Sequence, residues 1–145
     1  MRIAAPIILL CMLATGASAG QYDPLFKAWG ASRSVDWRLL KAVAMVESSF
    51  RPCVVSRRGA IGLMQVLPLH ARIRGFAYPR KALCDPDINI RIGSAYLTHS
   101  IALYGQNGGL HAYNVGRKGY RDGRRNWKYV QRVLRWYRAY KEKHP

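Results

Sequence analysis

Residues 47–68 read E-S-S-F-R-P-C-V-V-S-R-R-G-A-I-G-L-M-Q-V-L-P, and the remainder of the chain has to fold around this stretch. It opens with Glu47, which stands at the end of an apolar helical run. Pro52 predicts the end of that helix, because proline cannot continue the backbone hydrogen-bond ladder and restricts the residue before it. A polar turn is predicted over residues 56–59, and the apolar run 60–67 leads into a short helix that starts at Pro68. Glycines in this second half allow the backbone to approach another backbone or a ligand closely.

Glu47 shares the apolar face of the predicted helix before the break. Asp36 is the predicted N-cap of this helix. The positions that recur at helical steps of three and four residues are Trp37, Leu40, Val43 or Ala44, and Glu47. A glutamate on a helix is usually solvated, but this register brings the carboxyl group to the edge of the core. We therefore expect burial to raise the pKa of Glu47 and to keep it protonated at rest.

The remaining patterns are helical, and none alternates as a strand does, so we predict a mainly α fold, a single domain of about six helices. Further helices are predicted to start at Asp23, Asp87 and Asn126, each with that residue as N-cap. The helix from Asp87 is expected to be the central scaffold and to stop at Gly105. The other segments are predicted as a loop at 73–83, a turn at 106–109, a short helix at 110–114 and a basic loop at 118–125.

Residues 1–19 have the composition of an export signal. A short positive region, Met1-Arg2, precedes the apolar residues 3–14, and Ala17-Ser18-Ala19 is a cleavage signature. The apolar run is shorter than the roughly 20 residues that span a bilayer, so cleavage is expected rather than the alternative, an uncleaved anchor. The mature domain would then be residues 20–145, without a transmembrane segment, and would be periplasmic or secreted.

Export changes the interpretation of the cysteines. Cys53 and Cys84 remain after removal of the signal, in a compartment where disulfides persist. We expect a disulfide between them rather than two free thiols, with a stabilisation of roughly 3 to 4 kcal/mol in the chain-entropy model. No metal site is expected, because no further thiolate or histidine stands at ligand spacing.

The formal net charge of +17 predicts an acidic or polyanionic neighbour. Lys and Arg greatly outnumber Asp122 and Glu142 in residues 117–145. Nucleic acid is a poor candidate for an exported protein, which leaves anionic wall polymers, lipid headgroups or an acidic protein. The alternative is a solvated basic helix face that serves only solubility.

Four ordered motifs give the chain a family resemblance. They are residues 47–52 followed by Ser56, the glycine-rich residues 59–65, Ala112-Tyr113-Asn114-Val115-Gly116, and Tyr129-Val130. In this order they resemble the catalytic domain of the soluble lytic transglycosylase family over roughly residues 22 to 140. The chain is similar to the small exported type that accompanies secretion and conjugation machines, although phage-type and general wall enzymes share the pattern.

The resemblance implies a lysozyme-like α fold whose groove takes peptidoglycan glycan strands and cleaves the bond between N-acetylmuramic acid (MurNAc) and N-acetylglucosamine (GlcNAc). Glu47 matches the family's catalytic acid. The positions that match residues lining the groove, or holding the acid or the sugar, are Ser56, Gln65, Tyr113, Asn114 and Tyr129; Ser56 would orient Glu47 if it hydrogen-bonds to it. Without the motifs, Gln65 and each tyrosine would be interpreted as core. The departures from the family pattern are Leu67, Val115 and Arg117.

The number of available carboxylates distinguishes hydrolysis from cleavage without water. Glycoside hydrolysis usually needs two carboxylates, but the other acids here are predicted helix caps or, for Asp122, part of a basic loop. One carboxylate suffices if the muramic acid 6-hydroxyl is the nucleophile, which gives a 1,6-anhydro product without water, metal or cofactor. The alternatives are a lysozyme-type hydrolase, a non-catalytic wall-binding assembly factor that docks through the basic C-terminal helix, and a cationic membrane-disrupting protein. We expect a monomer.

Overall fold

The computed structural model describes residues 20–73, 75 and 79–145, so the predicted export signal lies outside the described residues. In the described part, α-helices and one short 3-10 helix carry the fold, and the mainly α prediction is confirmed. The elements are α1 Asp23–Arg33, α2 Trp37–Ser48, α3 Pro68–Ile73, the 3-10 helix Arg80–Cys84, α4 Pro86–Val115, α5 Arg117–Arg121 and α6 Trp127–Lys143. Across these ranges no helix has both the length and the apolar character needed to cross a membrane.

The core forms where α2 packs between α1 and α6, with α4 against α1 and α6. Phe26, Val43 and Leu97 are fully buried in it. On α6, Val130 and Val133 are buried in the same cluster, and the arginines Arg132, Arg135 and Arg138 are exposed. Helix α6 therefore has an apolar face in the core and a basic face in solvent.

The N-cap predicted for α2 is confirmed, but its predicted end is wrong. The Asp36 carboxylate accepts a hydrogen bond from the Arg38 backbone N–H at 2.9 Å. The helix ends at Ser48, before Pro52 can stop it, because Ser49 and Phe50 adopt φ values of 51° and 60°. Phe50 is 4% exposed and packs edge-on against Phe26 at 6.4 Å. Burial of this side chain stabilises the early turn.

The start of α4 differs from the prediction by two residues. Asp85 is the N-cap, with its carboxylate accepting from the Ile88 N–H at 2.9 Å. Asp87 instead accepts a hydrogen bond from the Trp29 indole N–H at 2.7 Å and so ties α4 to α1. Asp85 and Asp87 both lie close enough to the helix start to cap it. Because Asp87 binds Trp29, Asp85 is the cap.

Gly105 divides α4 into two helical stretches. Its φ of 70° and ψ of 174° are not helical, so the predicted end of the first helix at Gly105 is confirmed. The second stretch begins directly after Gly105 and runs to Val115, so the predicted turn at 106–109 is wrong and the helix predicted at 110–114 is longer than expected. Gly108 and Gly109 are buried, and a Cβ on Gly109 would lie 2.7 Å from the Ile101 Cα. These glycines permit close packing inside a helix, which a sequence reading cannot distinguish from a turn.

Three smaller predictions also need correction. The predicted loop at 73–83 contains most of the 3-10 helix, and the predicted basic loop at 118–125 begins inside α5. At α1 the N-cap is Tyr22, not Asp23. The Asp23 carboxylate pairs with the ammonium of Lys41 at 2.6 Å, where Lys41 is buried. A buried charge needs a partner, and this need draws Asp23 away from capping.

The predicted disulfide and the predicted cap of α6 are both present. Cys53 is bonded to Cys84, which joins the segment after α2 to the end of the 3-10 helix. The Asn126 side chain accepts from the Tyr129 N–H at 3.0 Å. The disulfide directly follows the motif at residues 47–52, and the cap binds the N–H of Tyr129.

Asn89 fixes the glycine-rich segment to α4. Its side chain is fully buried; it accepts from the Met64 N–H at 2.8 Å and donates to the Ile61 and Leu83 carbonyls at 2.7 and 2.8 Å. Gly62, at φ 81°, leaves no room for a side chain, since a Cβ would lie 2.6 Å from the Leu83 oxygen. These contacts therefore determine where the glycine-rich segment packs along α4.

We expect Asn89→Ala to lower the free energy of unfolding by roughly 3 kcal/mol, because it removes three buried hydrogen bonds to the backbone, of whose partners the Ile61 carbonyl keeps a second bond from the Val66 N–H. The matched control is Asn107→Ala, which removes an exposed asparagine from the same helix and should change stability by less than about 0.5 kcal/mol. Urea unfolding with the disulfide intact measures both. Equal losses in the two variants would contradict the anchoring role of Asn89.

Candidate active site

A cleft of about 220 Å³ opens between the end of α2, the segment 56–67, α3 and α4. Five of the six residues predicted for the site line it: Glu47, Ser56, Gln65, Tyr113 and Asn114. They come from three separate parts of the chain, and the fold brings them together. The sixth, Tyr129, lies behind Glu47 on α6.

Tyr129 holds the carboxyl group of Glu47 from the core side. Its hydroxyl donates to Glu47 Oε1 at 2.7 Å, and Tyr129 itself is 5% exposed. The two residues lie on α2 and α6, which pack against each other. The possible partners predicted for Glu47 are Ser56, Tyr113 and Tyr129, and of these Tyr129 makes the hydrogen bond.

Burial raises the pKa of Glu47 from its ordinary value of 4.5 to about 7. The hydrogen bond from Tyr129 and the positive charge of Arg132 act in the opposite direction, and they are smaller than the cost of removing the charged form from water. Glu47 is therefore largely protonated below pH 7. In this state it can donate a proton to a group bound in the cleft.

Ser56 stabilises a turn and does not orient the acid. Its hydroxyl oxygen accepts from the Ala60 N–H at 3.1 Å, and its carbonyl accepts from the Gly59 N–H at 2.9 Å. These bonds close a turn over residues 56–59, so the predicted turn is confirmed. Within the described part of the chain, Ser56 makes no hydrogen bond to Glu47, so the condition under which it would orient the acid is not met.

Gln65 and Tyr113 use their polar ends to hold the backbone of the cleft wall. The Gln65 amide donates to the Val54 and Gly62 carbonyls at 3.0 and 3.1 Å. The Tyr113 hydroxyl donates to the Met64 carbonyl at 2.7 Å, not to Glu47. Both side chains still line the cleft, so each has a structural contact at one end and a surface open to a ligand.

Asn114 links the cleft to the residue that caps α6. Its side-chain oxygen accepts from Asn126 Nδ2 at 2.8 Å, and Asn126 Oδ1 in turn accepts from the Tyr129 N–H. Tyr129 then donates to Glu47. A chain of hydrogen bonds thus runs from the cleft wall, through the start of α6, to the acid.

Sequence reasoning missed two residues that shape the site. Ser48 donates to the Leu63 carbonyl at 2.8 Å and is buried, so it ties the end of α2 to the cleft wall. Its place beside Glu47 in the first motif was a usable signal. Asn89 lies between Ile88 and Ile90 in a buried helix, and a polar residue at such a position needs hydrogen-bond partners. That signal was present and was not used.

Glu47 is the sole carboxyl group among the described residues that line the cleft. Asp36 and Asp85 are occupied as helix caps, and Asp122 pairs with Lys118 on the surface at 2.7 Å. In the described ranges no cluster of three or more His, Cys, Asp or Glu side chains is arranged to hold a metal ion. The site therefore offers one proton-transferring group, in a cleft with polar and aromatic walls.

The fold and site define an α-helical, lysozyme-like domain with one protonatable carboxyl group at the base of a cleft. The family model described as the transglycosylase SLT domain matches residues 24–133. The chain belongs to this family. The predicted resemblance is confirmed over most of the chain.

Relatives and solved structures agree with this assignment. The soluble lytic murein transglycosylase of Escherichia coli strain K12 is 36% identical over 104 residues, which cover 66% of this chain and 16% of that protein. The 70-kDa soluble lytic transglycosylase of E. coli superposes with a TM-score of 0.71 at 28% identity over 83% of this chain and 24% of that one. An inactive Glu→Gln mutant of the lytic transglycosylase Slt from Pseudomonas aeruginosa superposes with a TM-score of 0.75 at 27% identity, over 86% and 24% respectively. This chain thus spans about a sixth to a quarter of the length of these relatives.

We expect Glu47→Gln to stabilise the protein at alkaline pH. Because the pKa of Glu47 is raised on folding, its favourable contribution is complete below about pH 4.5 and is lost as the pH rises through about 7. Between pH 5 and pH 8 the stability of the variant relative to the wild type should rise by roughly 2 kcal/mol. Urea unfolding at both pH values measures this, with Glu142→Gln, the other glutamate of the chain, as a control that should show no such change.

We expect Tyr129→Phe to raise the pKa of Glu47 above about 7, since the hydrogen bond that it removes favours the charged form. The chain has two glutamates, so ¹³C labelling of glutamate gives two carboxyl signals in an NMR titration, and Glu142 provides an internal reference. Tyr137→Phe is the matched control, because Tyr137 lies on the same helix and donates to Asp36 instead. A lowered or unchanged pKa in Tyr129→Phe would contradict the assignment.

Proposed function

We propose that this protein is a peptidoglycan lytic transglycosylase that cleaves the β-1,4 bond between MurNAc and GlcNAc without water. The observation that carries the proposal is a single half-buried carboxyl group, Glu47, with a pKa raised to about 7, in a cleft whose described lining holds no second carboxyl. Double displacement by two carboxylates needs a partner that this lining does not offer.

In the first step Glu47 donates its proton to the glycosidic oxygen. The bond between that oxygen and the anomeric carbon of MurNAc then breaks, and the GlcNAc-containing fragment leaves with a new hydroxyl group. The raised pKa makes the neutral acid available near neutral pH. The Tyr129 hydroxyl, donating to Oε1, stabilises the carboxylate that remains.

In the second step the carboxylate of Glu47 accepts a proton from the 6-hydroxyl of the same MurNAc residue. The oxygen of that hydroxyl bonds to the anomeric carbon and closes a 1,6-anhydro ring. Glu47 is protonated again at the end of the cycle, so no atom is gained or lost by the protein. Ser56, Gln65, Tyr113 and Asn114 form walls that can contact the two sugars.

The relatives support this activity. They include proteins named lytic murein transglycosylases, and a Glu→Gln mutant of the P. aeruginosa protein is described as inactive. A 70-kDa soluble lytic transglycosylase has also been solved in complex with bulgecin A. Family membership, the position of Glu47 in the first motif and its pKa support the same role for this chain.

For the cellular setting we propose export and local opening of the wall around a secretion or conjugation apparatus, by a monomer. The signal-like residues 1–19 and the Cys53–Cys84 disulfide support export, because disulfides persist in oxidising compartments. The sequence resemblance to the small transglycosylases of such machines supports the role. Detection of the protein in a periplasmic fraction tests the export.

Digestion of purified peptidoglycan, followed by mass spectrometry of the soluble fragments, tests the reaction. We expect fragments lighter by one water molecule than hydrolysis products, and a rate that falls as the pH rises through about 7. Glu47→Gln should lower the rate by about 100- to 10,000-fold, whereas Glu142→Gln should retain it. Fragments of hydrolytic mass would instead establish a lysozyme-type hydrolase. Wall binding without fragments would favour the assembly factor.

A further inference from the structure

Arg58 places an unpaired positive charge in the cleft. It lines the cleft together with Glu47, and its side chain is exposed. The ion pairs of the described residues join Arg38 to Asp36, Lys41 to Asp23 and Lys118 to Asp122. Within that part of the chain, the Arg58 guanidinium therefore has no carboxylate partner and is available to an anionic group of a ligand.

Arg117, which directly follows the third motif in the sequence, provides a second guanidinium. Its guanidinium carbon lies 5.6 Å from the centre of the Tyr96 ring, and Tyr96 lines the cleft. A cation over an aromatic face is attracted to it, and the contact restricts where the side chain points. Arg117 is half-buried and likewise has no carboxylate partner among the described residues.

Among the described lining residues, Glu47 is not paired with Arg58, which lines the cleft, or with Arg117, which lies over the Tyr96 ring beside it. Glu47 is the sole carboxyl in the described lining of the cleft and is largely neutral below pH 7. The net charge of +17 adds a long-range field of the same sign. A guanidinium presents paired N–H donors that match the two oxygens of a carboxylate.

We propose that the cleft binds a free carboxylate of the substrate strand through Arg58, with Arg117 as the second cation, so that the substrates of this site are carboxylate-bearing glycan strands. This rests on the proposed function and adds a specificity determinant to it. Arg58 and Arg117 would contact a substituent of the sugar chain, while Glu47 acts on the glycosidic bond.

The carboxylate can come from two parts of peptidoglycan. In peptide-bearing strands the muramic acid lactyl group is amide-linked, and the free carboxylates lie on the peptide. In peptide-free strands the lactyl carboxylate itself is free. The two sources share the same chemistry, and substrates of each kind distinguish them.

Binding and turnover can be measured separately. For binding, the inactive Glu47→Gln protein and the double variants Glu47→Gln/Arg58→Gln and Glu47→Gln/Arg57→Gln are titrated with soluble glycan fragments by calorimetry. Arg57 is the matched control, because it is an exposed arginine in the same turn that does not line the cleft. The fragments are peptide-bearing, peptide-bearing with the carboxyls converted to amides, and peptide-free.

We expect Arg58→Gln to weaken binding of a carboxylate-bearing fragment about fivefold, as for an exposed arginine–carboxylate pair. The effect should diminish with added salt and vanish on the amidated fragment. Arg57→Gln should leave all affinities unchanged. If only the peptide-bearing fragment responds, the peptide supplies the carboxylate; if only the peptide-free fragment responds, the lactyl group supplies it.

Equal losses of affinity for charged and amidated fragments, or equal losses for Arg57→Gln and Arg58→Gln, would overturn the proposal.

Turnover measurements distinguish failure of this proposal from failure of the proposed function. In the active protein, Arg58→Gln should raise KM for carboxylate-bearing strands about fivefold and leave kcat unchanged. If the wild type binds charged fragments through Arg58 but releases no anhydro product, the proposed reaction fails and the carboxylate site stands.

Discussion

The buried backbone of residues 61–64 imposes the constraint on which the rest of the site depends. Peptide groups removed from water need hydrogen-bond partners, and this irregular segment cannot supply them all from its own backbone. Side chains from two helices do so: Ser48 binds the Leu63 carbonyl, and Asn89 and Tyr113 bind the backbone of Met64. Because each contact is buried and directional, the segment has one position against α2 and α4. These hydrogen bonds therefore set the position of the cleft wall.

Burial and a hydrogen bond also determine the pKa of Glu47. Desolvation raises the pKa of its carboxyl group, and the hydrogen bond from Tyr129 limits the rise to about 7. Desolvation alone would favour a permanently neutral acid, and exposure would favour a permanent carboxylate. Tyr129 is itself positioned by Asn126, which caps α6 and bonds to Asn114 in the cleft wall. The proton affinity of the acid thus depends on a helix cap that the acid does not touch.

The errors in the sequence predictions share one cause. Pro52 and Asp87 each carry a local signal for the end or the start of a helix, and local signals do not reveal which competing contact is stronger. Burial of Phe50 ends α2 before Pro52, and Trp29 takes the carboxylate of Asp87. At such positions the energy of a long-range contact exceeds the local preference, and only the folded chain shows that contact.

The sequence by itself determined the helical class, the disulfide pair, the cap at Asp36 and the placement of Glu47 on an apolar face, because spacing and residue type specify these locally. The family motifs also identified the residues that line the cleft. Only the tertiary structure decided what each of them does. Ser56 closes a turn, Tyr113 holds a carbonyl and Tyr129 holds the acid. The physical reason is that a hydrogen bond of a few ångströms joins residues tens of positions apart, and sequence spacing carries no information about which atoms will meet.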